Sequence, residues 1–324
     1  MKKFLLMICL MPLLQACSTV QTIYFERLQP AEVYFPDQIR SVGIVDNMPS
    51  VRQDHEKLNA ASVSLEGDGN VTTEALAQEV VSVDYFDQVI LYEKSVRDSS
   101  GPLEQPLSKE TVDELIDTLG VDMLLAMERA NVKLEESVMV IPELFVSVPA
   151  VDGIVTSVLR AYVKQQEGPL FTIQKTDTIC WQIVPDLTYG DVVKDCSQYA
   201  ASMPIKYLLP YWKGVERHYF DGGNVNMRDA GVYLREQNWE EASLLWKELY
   251  DKKKGKVKMR AAYNLALYYE QQDDFIRAKE YLETALTLAP EGSWEMHLIQ
   301  FYLLQLEEQA QKNQRLKVQM KRFE

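Results

Sequence analysis

The sequence predicts an α+β chain, with an N-terminal α/β sandwich on a mixed sheet followed by an all-helical repeat domain. Three observations carry this. Charge changes near residue 210: residues 17–210 hold 14 Lys and Arg against 30 Asp and Glu, whereas residues 211–324 hold 18 of each. The hydrophobic period changes at the same place, from mixed strand and helix spacing to helix spacing alone. In the second half an apolar pattern also returns after 36 residues. The 324 residues are 47% hydrophobic and 25% charged, a globular composition with room for about two domains. A net charge of −14 argues against nucleic acid as a partner, since that needs a basic face.

The start reads as a leader, residues 1–16. Lys2 and Lys3 precede an apolar run from Phe4 to Leu14. The run suits a signal sequence and is too short for a spanning helix, which needs about 20 residues. Leu14-Gln15-Ala16-Cys17 then resembles a bacterial lipobox, in which the cysteine carries the lipid. The resemblance implies lipidation at Cys17 and a membrane as partner through that anchor. Ser18-Thr19-Val20-Gln21-Thr22 holds no acid. By similarity to Bacteroides-type lipoproteins, this implies an outer-membrane protein facing the periplasm. A plain secretory signal with a chance cysteine is the alternative.

The α/β domain, residues 17–210, is built in order. After an opening segment from Thr22 to Leu28, Ser41 to Asp46 is a short apolar run, read as a buried strand. Residues 47–70 are polar and read as a loop. Asn70 is placed to cap a helix whose face is Leu76, Val80 and Val83. Phe86 to Tyr92 is the next strand. Ser108 caps a helix over 109–119, Leu107 and Val112 sit at staple positions, and Gly120 suits a left-handed C-terminal cap. Val121 to Ala126 follows as a strand, completing a β-α-β-α-β order. Leu159, Ala161 and Val163 alternate with Arg160, Tyr162 and Lys164. After Glu167-Gly168-Pro169, Phe171, Ile173, Ile179, Trp181 and Ile183 share a face, so an antiparallel hairpin is expected. A third strand is expected over Val192 to Tyr199. A turn centred at Thr188 would set Cys180 opposite Cys196, close enough for a disulfide. A one-residue slip would leave the two thiols apart. Val138 to Val151 is apolar and broken by Pro142 and Pro149. It reads as a core-covering loop or edge strand, or else as a membrane- or partner-facing patch; a membrane hairpin is disfavoured, because each strand would need about 9–11 residues and the prolines interrupt the ladder.

The boundary is expected between Pro210 and Asn224, which leaves residues 211–324 as the second domain. Ala230, Tyr233, Trp239, Ala242, Trp246 and Leu249 match Ala266, Tyr269, Phe275, Ala278, Leu282 and Ala285. This resembles the tetratricopeptide repeat, with Pro290 closing the second unit and a long capping helix running to about Lys321. The resemblance implies a concave groove for a protein partner. Its lining positions fall on Asn224, Met227, Leu234 and Arg235 in the first unit, and on Arg260, Tyr263, Leu267 and Glu270 in the second. With its lipobox, the Gln29-Pro30-Ala31 entry before Val42-Gly43-Ile44-Val45 and the repeats, the chain as a whole resembles an uncharacterised family of Bacteroides-type lipoproteins with an α/β domain and a tetratricopeptide tail. Its α/β part is similar to the periplasmic domains of curli-secretion and Tol-type assembly lipoproteins. Neither resemblance brings an enzymatic activity.

The search for site chemistry returns little. His55 sits in a polar loop, and His218 and His297 fall in expected helices. No metal-ligand spacing occurs, so neither metal nor other cofactor is expected. Gly67-Asp68-Gly69-Asn70 could cradle an anion but lacks the lysine of a phosphate loop, and reads more simply as a turn with a cap. The sequence therefore points to a non-enzymatic, membrane-tethered binding or assembly protein. An envelope-polymer hydrolase and an oligomeric export component are the rivals.

Overall fold

The computed structural model describes residues 20–49, 63–97, 105–142, 145–184 and 186–323. The leader, Cys17 and His55 lie outside them. The described chain forms two compact units. One holds residues 30–211 and 319–323, the other residues 20–29 and 212–318. The first strand, β1 (Val20–Gln29), thus groups with the C-terminal helices, not with the α/β elements that follow it.

The α/β unit contains β2 (Ser41–Asp46), β3 (Val63–Glu66), α1 (Gly69–Ser82), β4 (Gln88–Ser95) and α2 (Lys109–Leu119), followed by β5 (Met123–Ile141), β6 (Val146–Val163), β7 (Phe171–Gln182), α3 (Tyr189–Ser202) and α4 (Ile205–Leu208). Its sheet runs β4-β2-β5-β6-β7, with β3 paired to β5. β2 is parallel to β4 and β5, while β5, β6 and β7 are antiparallel in turn. The sheet is therefore mixed. Helices cover both faces because side chains alternate along β5. Met123, Leu125 and Met127 share a core with Leu76 and Val80 of α1 and with Val192 and Ala200 of α3. Leu124 and Ala126 pack instead with Val112, Leu115 and Ile116 of α2.

Local signals set these helices. The Ser108 hydroxyl accepts from Thr111 N at 3.2 Å, and Gly120 closes α2 at φ +65° with its N–H on Ile116 O. No side chain with a Cβ adopts that angle cheaply. At α1 the cap is Asp68, two residues before the expected Asn70, and Val83 is the C-cap. β3 lies within the stretch read as a loop.

One larger expectation is corrected. Residues 189–202 form helix α3, not a third strand. Thr188 and Asp191 build a capping box, and Val192, Cys196, Ala200 and Ala201 bury at helical spacing. The cross-strand register that would join Cys180 to Cys196 therefore does not exist, and both cysteines are free. Cys180 is exposed on β7, whereas burial pushes the Cys196 thiol up to about 12. The described residues between Val138 and Val151 follow the strand reading and not that of a covering loop. They form the far end of the β5–β6 hairpin, paired through Ile141↔Val146.

The helical unit contains β1, β8 (Tyr211–Phe220, from Trp212 onward), α5 (Val225–Arg235), α6 (Trp239–Lys252), α7 (Gly255–Gln271), α8 (Phe275–Leu288) and α9 (Trp294–Met320, to Val318). β1 and β8 pair as a two-stranded ribbon. His218 accordingly lies on a strand, near the Thr22 hydroxyl at 3.3 Å. The 36-residue repeat extends to the backbone. Gln237 and Asp273 both take positive φ, at 62° and 59°. Asn238 and Asp274 follow them, each capping the next helix through its side chain. Their N–H groups return to Tyr233 O and Tyr269 O, both at 2.9 Å. The small Ala242 and Ala278 are fully buried at matching positions, where a larger residue would hold the helices apart.

The chain from Ser18 onward keeps only Cys180 and Cys196. Unreduced, it should yield two reactive thiols when denatured and one, Cys180, when native. A denatured count of zero would contradict this arrangement.

Candidate functional site

The residues expected to line an open groove lie mostly in the interior. Met227, Leu234, Leu267 and Glu270 are fully buried, Tyr263 is 1% exposed and Arg260 7%. Asn224 is the N-cap of α5. Only Arg235 stays well exposed, paired with Asp221 at 3.5 Å and donating to the Tyr219 hydroxyl at 3.0 Å.

The reason is that the chain's own β1–β8 ribbon packs on this face. Ile23, Tyr219 and Phe220 belong to the same core as Met227, Tyr263 and Leu267. Asn264 holds the end of β8 as another strand would: its Oδ1 accepts from Phe220 N at 2.8 Å, and its Nδ2 donates to Phe220 O at 2.7 Å. The Phe220 ring meets Tyr263 edge-on at 5.1 Å. Burying such a ring is worth about 1.5–3 kcal/mol.

Beneath the ribbon is a charged lock. Arg217 of β8 donates from Nε and Nη2 to both oxygens of Glu270, at 2.9 and 2.8 Å. The Tyr302 hydroxyl of α9 donates to the same carboxylate at 2.6 Å. Arg27 of β1 donates to the Glu270 carbonyl at 2.7 Å and pairs with Asp273. Arg260 donates to Gly222 O at 3.0 Å and faces Glu295. The charges that a bound peptide would have met are thus satisfied within the chain.

Among the described residues an open cleft of about 690 Å³ is lined by α8, α9 and the turn before α8. Phe275 and Ile276 form its apolar part, and Ile276 is 75% exposed. Asp273, Asp274, Glu280, Glu283 and Glu307 stand against Lys279 and Lys317, so the rim is net acidic. Lys279 is itself paired to Glu307 at 2.8 Å.

The α/β unit has a second polar cluster, at the carboxyl ends of its parallel strands, where open α/β sheets often bind ligands. Two ladder irregularities place it. Glu128 is the extra residue of a bulge between Met127 and Arg129, and Asp46 follows a register shift after Ile44. Glu128 accepts from the Tyr162 hydroxyl at 2.7 Å and from Asn47 Nδ2 at 2.6 Å, with Arg160 3.5 Å away. Asp46 accepts from Met48 N at 2.8 Å and lies against the start of α1, where a Cβ on Gly69 would come within 2.3 Å of its Oδ2. The anion facing the Gly67–Asn70 turn is therefore the chain's own Asp46. Burial raises both carboxyl groups above the usual range, the donors only partly offsetting it. No sequence signal pairs these two acids, because a bulge is a property of the ladder. Among the described residues no group of His, Cys, Asp and Glu is placed to hold a metal ion.

The fold and these sites define a two-unit α+β protein, a mixed α/β sheet unit and a helical repeat unit closed by its own ribbon. Residues 39–220 match the family described as Domain of unknown function (DUF8603), and the chain belongs to that family. Residues 228–308 match a second model, Domain of unknown function (DUF6340). A search of curated proteins finds no match. Among solved structures the chain is similar to a minor lipoprotein from Acinetobacter baumannii, at 9% identity over 53% of this chain and 95% of that one. The TM-score is 0.24, too low for the likeness to carry a structural argument.

Replacing Arg217 with Met strands the Glu270 carboxylate and should cost about 3–5 kcal/mol in urea unfolding of the helical unit. The Arg217→Met, Glu270→Met double variant should regain part of that loss. Additive losses from the two single changes would show that the pair is not coupled.

Proposed function

We propose that this protein is a lipid-anchored bacterial envelope protein that binds a partner protein and catalyses no reaction. The sequence from Lys2 to Cys17 supports the anchor, and among the described residues no helix is long and apolar enough to cross a membrane. The observation that carries the binding role is the α8–α9 cleft. It has an exposed apolar floor and an acidic rim, and its volume lies in the range of ordinary binding clefts. A basic, amphipathic segment of a partner fits that chemistry, its apolar side on Ile276 and its cations among the rim carboxylates. The face expected from the repeats to do this work is filled by the ribbon, so the outer cleft takes its place.

The rival, a hydrolase, draws on one observation: the raised carboxyls of Asp46 and Glu128. Their geometry favours a structural role, because three of their four oxygens accept from internal donors at 2.6–2.8 Å.

A photoreactive residue tests the cleft. Placed at Ile276, it should cross-link one protein species in intact cells. Placed at Leu244, which is 61% exposed on α6 and outside the cleft, it should not. Equal adducts at both positions, or none at Ile276, would remove the cleft as the binding site.

A further inference from the structure

The mixed sheet ends on β7, and among the described residues no strand pairs with its outer side. Ile183 N donates to Pro149 O at 3.1 Å, in the register that joins β6 to β7 from Ala150↔Gln182 to Ala161↔Phe171. Bonds in an antiparallel ladder fall on alternate residues. The odd-numbered residues of β7 therefore bond to β6, and the even-numbered ones aim their N–H and C=O groups outward. Thr172, Gln174, Thr176, Thr178, Cys180 and Gln182 form this outward set, and all are exposed. Folded proteins usually blunt such an edge with a proline, a bulge or a short strand. β4, at the other edge, is eight residues long and slips register against β2. β7 is twelve residues long, holds no proline and keeps one register throughout.

The sequence of β7 is its own complement. Laid antiparallel on a second β7 about Thr176, it sets Thr176 on Thr176, Gln174 on Thr178 and Thr172 on Cys180 as hydrogen-bonded pairs. The pairs between these bring side chains closest: Lys175 meets Asp177, Ile173 meets Ile179 and Phe171 meets Trp181. Charge meets opposite charge, and apolar meets apolar. The register is also selective. Pairing odd with even residues would leave the outward groups without partners. The nearest registers in phase, centred on Lys175 or Asp177, would set like charges directly opposite each other. Charges that would otherwise guard an edge here specify one partner.

We propose that two copies of this chain associate through β7, antiparallel about Thr176, into one continuous sheet with two-fold symmetry. About ten main-chain hydrogen bonds join the copies, the number of an ordinary protein interface. In the single chain Lys175 lies over the Tyr207 ring, and Asp177 accepts from the Tyr199 hydroxyl at 2.6 Å and from Thr178 N at 2.8 Å. In the pair Thr178 N passes to the Gln174 carbonyl of the second copy, and the freed Asp177 oxygen takes Lys175 of that copy. Dimerisation is independent of the lipid anchor and of what the α8–α9 cleft binds.

The chain from Ser18 onward keeps every described residue and tests this without lipid. Sedimentation across a dilution series should show a monomer–dimer equilibrium. Asp177→Lys sets lysines against each other on both sides of the axis and should weaken the dimer about tenfold. Lys175→Asp added to it should restore the dimer. Thr176→Pro removes an N–H that β6 does not use, and should give a folded monomer. Two cysteine variants in a Cys180→Ser background test the register. The two copies of Thr176→Cys face each other with Cα atoms about 5.5 Å apart and should oxidise to a linked dimer. Those of Gln174→Cys lie about 14 Å apart along the pair and should not. A monomer at every concentration, a dimer that Thr176→Pro and Asp177→Lys leave intact, no rescue by the charge swap, or equal linking of both cysteine variants would overturn the proposal.

Discussion

The helical unit depends on one buried carboxylate. Glu270 is fully buried and takes both forks of Arg217 together with the Tyr302 hydroxyl, while its carbonyl receives Arg27. β8, α9 and β1 thus meet at a single residue of α7. A charge left there unpaired is expensive, so the arrangement tolerates no half-bound state. The apolar contacts of Ile23, Tyr219 and Phe220 supply the burial, and the charged lock supplies the register. The result is a repeat that contains its own occupant on the face where such repeats are expected to be open.

The α/β unit follows a different logic. Its hydrophobic alternation is strict enough to serve helices on both faces of one sheet, with Gly43 letting α2 approach β2 closely. The polar cluster sits where that regularity breaks. The bulge at Glu128 and the shift after Ile44 turn two carboxylates inward, where burial raises their proton affinity and Tyr162 and Asn47 hold one of them. A raised carboxyl works against stability above its folded pKa, and the opposition fades as pH falls toward the unfolded value. The cluster is thus a cost that the rest of the sheet offsets at neutral pH.

How much of the molecule is legible depends on where each signal lives. α2 can be read residue by residue, because Leu107, Ser108, Val112 and Gly120 are local signals. The 36-residue repeat is legible for the same reason, down to the caps at Asn238 and Asp274. α3 reads as a strand from its sequence although Thr188 and Asp191 form a capping box; the expected hairpin and the two cysteines outweigh a local signal that is present. The eight groove positions do fall on α5 and α7, or at the cap of α5. Their burial is not legible, because it depends on pairing β1 with β8 across about 190 residues of chain. Glu128 and Asp46 are hidden likewise: ladder irregularities leave no mark on hydrophobic period. The apolar stretch around Val140 stands out, but Pro142 and Pro149 suggest a broken strand. Pro149 instead sits within β6 opposite Val138, just past the last β6–β7 ladder pair, and its carbonyl still accepts from Ile183 N at 3.1 Å.

The central claim is that the ribbon is part of the helical fold and not a removable lid. Amide hydrogen exchange on β8 tests it most directly. The N–H of Phe220, held by Asn264, should exchange only through global unfolding of the helical unit, with the same protection as the interior amides of α7. Exchange at Phe220 orders of magnitude faster than in α7, with the helices still protected, would show that the ribbon leaves while the repeat stays folded, and would contradict the account.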